Sequence, residues 1–71
     1  MKTNKQLLEE EIEGAKKSLR SIGYQYHFWQ NKASVNPKGK IMDTFANVTV
    51  QKEAQEEYVK FLEEQLKTTN D

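Results

Sequence analysis

Residues 24–49 read YQYHFWQNKASVNPKGKIMDTFANVT, and whether they are strands or helices decides the fold. At their centre, Asn36-Pro37-Lys38-Gly39 is a strong turn. Proline presets φ at the second position, asparagine suits the first, and glycine takes the left-handed geometry that closes a three-residue hairpin loop with a bulge. Setting Asn36 opposite Lys40 puts Phe28 across from Val48, Tyr26 across from Val50 and Gln30 across from Ala46. These share one side of the ribbon with Tyr24 and Met42, and aromatic against β-branched is a favourable cross-strand pairing. Turn chemistry and side-chain alternation agree, so strands are expected at 24–34 and 41–49.

Upstream, Thr3 and Gln6 fit a capping box, which starts a helix. Leu8, Ile12, Ala15, Leu19 and Ile22 then recur at steps of four and three, one apolar stripe along that helix. Acidic residues crowd its first turns and Lys16, Lys17 and Arg20 its last, as the helix dipole favours. Gly23 stands where a left-handed stop belongs, with Tyr24 able to pack back on Leu19, so the helix is expected over 4–22. Downstream, Val50, Ala54, Tyr58, Phe61, Leu62 and Leu66 mark a face at helical spacing, and Glu56–Lys60 and Glu63–Lys67 add i,i+4 pairs. That predicts a second helix over 50–67, capped weakly by Thr49 and followed by a frayed tail at 68–71.

The expected fold class is therefore α+β: a small α-β-β-α domain over residues 1–71, two helices packed on a β-hairpin. The rival is an all-α helical hairpin turning at Asn36–Gly39, because the first stripe continues through Tyr26 and Trp29 and because Ile41, Phe45 and Val48 also step by four and three. That rival must run a helix through Gly23 and accept Asn47, Val48, Thr49 and Val50 in a helix interior.

Composition bounds what such a domain does. A chain of 71 residues with 35% hydrophobic and 31% charged residues is one domain with a thin core, for which self-association is a natural supplement. Eleven basic and eleven acidic residues cancel. Residues 14–52 nevertheless hold Lys16, Lys17, Arg20, Lys32, Lys38, Lys40 and Lys52 against Asp43 alone, a basic middle between acidic ends. The absence of cysteine excludes disulfides, thiolate metal sites and a cysteine nucleophile. The N-terminal stretch lacks the apolar run of an export signal and no segment has membrane-spanning length, which points to the cytoplasm and away from membranes. Asn47-Val48-Thr49 then reads as a chance sequon.

No catalytic constellation emerges. His27 is the single histidine, and the hairpin register sets Thr49 opposite it and Asp43 far along the strand, so a solvated histidine is expected. Glu9, Glu10, Glu11 and Glu13 point around a helix axis and cannot converge on one cation. No enzyme, cofactor or metal is expected. Trp29 and Phe45 fall together on the ribbon face opposite Tyr26 and Phe28, joined by Val35 and Ile41 and interspersed with His27. If the helices cover only the other face, this is a patch for binding a protein, a second copy included. The expected function is a non-enzymatic protein-binding module that acts as a homodimer, of a composition suited to a bacterial or phage-encoded accessory or inhibitor protein. The alternative is a weak single-strand nucleic-acid binder that stacks bases on the same aromatics and places Lys32, Lys38 and Lys40 on phosphates.

Overall fold

Thr3 begins the structure as its side chain dictates: its hydroxyl accepts from the Gln6 amide at 3.1 Å, and the Gln6 side chain accepts from the Thr3 amide at 3.0 Å. This computed structural model describes residues 1–69. From the cap, helix α1 spans Asn4–Val35, and helix α2 spans Gly39–Thr68. The loop between them contains Pro37, and Gly39 takes φ 50, the left-handed value expected of it. The turn is therefore where the sequence puts it, but it joins two helices.

The β-hairpin at 24–34 and 41–49 does not form, and no strand occurs among the described residues. The reason lies in the matching of two stripes. In α1, Leu8, Ile12, Ala15, Leu19, Ile22, Tyr26, Trp29 and Ala33 step by four and three without a break; in α2, Ile41, Phe45, Val48, Lys52, Gln55, Val59, Leu62 and Leu66 do the same. The members pair at equal sequence distances either side of Pro37: Ala33 with Ile41, Trp29 with Phe45, Tyr26 with Val48, and so on to Leu8 with Leu66. Reversing the chain at Pro37 lays one heptad seam on the other, as in an antiparallel coiled coil.

Magnitudes favour this outcome. A glycine inside a helix costs about 1 kcal/mol, and each of Val48, Thr49 and Val50 costs about half that. Fully burying an aliphatic or aromatic side chain contributes about 1.5–3 kcal/mol, and the helical arrangement buries Val48 and half-buries Tyr26, Trp29, Ile41 and Phe45. Gly23 accordingly lies inside α1 with negative φ, and no left-handed stop forms there. Thr49 offsets part of its cost by donating to the Phe45 carbonyl at 2.8 Å. A two-stranded ribbon, by contrast, is marginal alone.

The expected face of the second helix is corrected too. Leu62 and Leu66 face α1, but Val50, Ala54, Tyr58 and Phe61 are exposed. Two polar residues hold the intervening seam positions instead. The Gln55 amide donates to the Ala15 carbonyl at 3.1 Å, and the Lys52 ammonium lies 5.1 Å from the Tyr26 ring centroid while reaching Glu56 at 3.2 Å. Both are satisfied where they sit, so the seam tolerates them.

The resulting core is slender. Ile12, Ala15, Val59 and Leu62 form its main cluster with Leu8, Leu19 and Leu66 packed around them; Ala33 and Val48 are buried nearer the turn. Each of the six buried residues keeps 5–8% of its exposure. The molecule measures 51 × 17 × 13 Å with a radius of gyration of 16.1 Å, against about 11 Å for a compact domain of this length. At the C-terminus, Thr68 is the last helical residue and Thr69 caps α2, both hydroxyls donating to the Gln65 carbonyl. Asn70 and Asp71 lie outside the described residues.

Candidate functional site

The seam divides the hairpin surface into two flanks, each marked by an interhelical side-chain contact. On one, the Tyr58 hydroxyl donates to Glu11 at 2.8 Å; on the other, Lys16 meets Glu63 at 3.4 Å. Extending each flank at heptad spacing assigns the remaining surface positions. The Tyr58 flank carries Leu7, Phe28, Val35 and Phe61, and its charged side chains are Glu11, Lys32 and Lys40. The Lys16 flank carries Glu9, Glu13, Lys16 and Arg20 from α1 and Glu53, Glu56, Lys60, Glu63 and Lys67 from α2. Two open grooves run along this second flank, lined by Glu9, Glu13, Lys16 and Glu63 and by Glu13, Lys16, Leu19 and Arg20. Nine charges against three is a strong partition for a chain whose net charge is zero.

The weakly charged flank is also where large apolar side chains meet water. Phe28 is 53% exposed, Phe61 54% and Val35 88%, with Leu7 and Tyr58 beside them and Tyr24 and Val50 on the adjoining outer surfaces. Lys32 lies 5.3 Å above the Phe28 ring, a cation–π contact. Tyr58 holds its proton above the ordinary 10.0, first because its hydroxyl donates to Glu11, then through partial desolvation and the Glu11 charge. The Tyr58 hydroxyl thus partners the flank's one carboxylate, whose charge remains.

The residues expected to form one protein-binding patch are divided between the seam and the surface. The ribbon face that was to gather Trp29, Phe45, Val35, Ile41 and His27 does not exist, because the helical period sends neighbouring residues to different sides. Trp29, Phe45 and Ile41 are half-buried along the seam, with Phe45 tilted on Tyr26 at 5.4 Å between centroids and Trp29 edge-on to Phe28 at 5.3 Å. His27 is exposed on the Lys16 flank, its ring edge-on to Tyr26 at 5.7 Å. Val35 is 88% exposed at the last turn of α1. Lys32 lies in the last turn of α1, Lys38 is the N-cap of α2 and Lys40 lies in its first turn, all three exposed near the turn end. Among the described residues, no group of three or more acidic or histidine side chains is arranged to hold a metal ion, and no helix is long and apolar enough to cross a membrane.

Tyr58, Phe61 and Phe28 are the surface residues that sequence reasoning missed. The signal was present. Once Lys52 and Gln55 are allowed into the α2 seam, the seam runs unbroken from Ile41 to Leu66 and the remaining aromatics are left outside it. Compared with known proteins, the chain matches no family model, no curated protein and no solved structure.

Proposed function

We propose that this chain is a non-enzymatic cytoplasmic protein-binding module whose working surface is the Tyr58 flank of the hairpin. What supports the reading is the partition of the surface: exposed Phe28, Val35 and Phe61 share a flank with three charges, while nine charges occupy the other. A protein partner is recognised by a patch of large apolar side chains depleted of charge, with aromatics as anchors. The charged flank is the side that stays in water. Phe61→Lys should abolish capture of bound protein by the purified chain, whereas Lys60→Gln on the charged flank should leave it intact. Equal capture by both variants refutes the assignment.

The basic turn supports a second, weaker reading. Lys32, Lys38 and Lys40 around one tight loop could lie along a nucleic-acid backbone, although the aromatic stacking face that reading first relied on is absent. It requires retention on a nucleic-acid column that falls steeply with salt and is lost when the three lysines are changed to Gln. Retention independent of salt removes it.

A further inference from the structure

The proposed binding flank leaves open what occupies it, and resting on that reading, we infer that its occupant is a second copy of this chain, packed flank to flank with the hairpins antiparallel. The product is a four-helix bundle in which the turn of each copy lies over the helix ends of the other.

Exposed area is the first argument. The chain exposes 5576 Å², whereas a folded monomer of 8.3 kDa is expected to expose about 4,600 Å². The surplus of about 1,000 Å² compares with the about 800 Å² that each partner buries in a standard stable interface. The surplus arises because the molecule is a rod only 17 × 13 Å in cross-section, and pairing two rods side by side removes it.

Charge fixes the direction. The half of the hairpin nearer the turn, residues 20–54, carries five cations against two carboxylates; the half nearer the ends, residues 1–19 with 55–69, carries six against eight. Antiparallel packing sets the positive half of each copy beside the negative half of the other. Parallel packing would set like against like.

Shape agrees with this direction. Leu7, Gly14, Ser21, Phe28 and Val35 form one column on the flank at steps of seven, with Ser21 at its centre. A two-fold axis at Ser21 brings Val35 of one copy to Leu7 of the other, and Phe28 to Gly14. At Gly14 a Cβ would meet nothing within 4 Å, so the surface there has room for a ring, and Phe61 lies at the same level of α2 to meet it. Such an interface is isologous, the usual form for a dimer.

The absence of native cysteine makes the test direct. Sedimentation equilibrium of the wild-type chain at high micromolar concentration should give twice 8.3 kDa, and Phe28→Lys should weaken the dimer about tenfold or more while leaving the helical circular-dichroism signal in place. On mild oxidation Ser21→Cys should cross-link to itself. Val35→Cys should cross-link to Leu7→Cys and not to itself. A monomer under these conditions overturns the inference, as does self-cross-linking of Val35→Cys with no Val35–Leu7 product. A wild-type monomer whose capture of another protein is nonetheless lost in Phe61→Lys would overturn the second copy while leaving the binding flank standing.

Discussion

The half of the hairpin near the chain ends and the half near the turn are packed from different materials. The end half is aliphatic: Leu8, Ile12, Ala15 and Leu19 interdigitate with Val59, Leu62 and Leu66, and four of these seven are buried. The turn half is aromatic: Tyr26, Trp29 and Phe45 line the seam half-buried, with the small Ala33 and Val48 buried between them. Lys52 and Gln55 separate the two halves. Small branched side chains fill a narrow two-helix seam completely, while rings wider than the seam spill onto the flanks. Burial is therefore concentrated at one end of the rod, while exposed aromatic surface runs along both halves, with Tyr24 and Phe28 in one and Tyr58 and Phe61 in the other.

That contrast can be broken by substitution. Leu62→Ala should be the most damaging, costing about 3 kcal/mol in urea denaturation because it opens a cavity in the main cluster. Trp29→Ala should cost less, about 2 kcal/mol, because half of the indole surface is wet already. If Trp29→Ala matches or exceeds Leu62→Ala, the turn half is as much core as the end half. The glycines sharpen the comparison. Gly23→Ala should stabilise by about 1 kcal/mol, since Gly23 lies in a regular helix with open space where the methyl would go. Gly39→Ala should destabilise by about 1 kcal/mol, since φ 50 disfavours any side chain. The same sign for both would contradict the two-helix geometry.

The smallest effect belongs to pH. Tyr58 keeps its proton more tightly in the folded chain than at its ordinary 10.0, so the folded state binds more protons than the unfolded one above that pH. Its contribution to stability is fully present below pH 10 and is lost as pH rises further. Tyr58→Phe should flatten that alkaline decline in thermal melts, leaving neutral stability nearly unchanged. A decline of equal steepness in both proteins would assign it to other groups.

Much of the end half was legible from residue order. The Thr3 cap, the stripe from Leu8 to Ile22 and the seam positions of Leu62 and Leu66 follow from spacing and hydrogen-bonding chemistry within one or two turns. The turn half was not. Its β-branched and aromatic residues alternate and step helically at once, so residues 24–49 support both periods. Local preference for strand at Val48–Val50 and for a stop at Gly23 pointed away from the outcome. The α2 face was misread because Lys52 and Gln55 look like surface residues, and only the Tyr26 ring and the Ala15 carbonyl make them seam residues. The candidate surface moved with the fold: Val35 stayed exposed, Trp29, Phe45 and Ile41 turned to the seam, and Phe28, Tyr58 and Phe61 took their place outside.

Residue order alone determined where the chain starts its first helix, where it reverses, and that its core is thin, because caps, proline geometry and composition act within a few residues or over the whole chain. Only the tertiary structure decided that residues 24–49 are helical and which aromatics face water. Those outcomes depend on two stripes meeting across Pro37, and the energy of that meeting is absent from either stripe by itself.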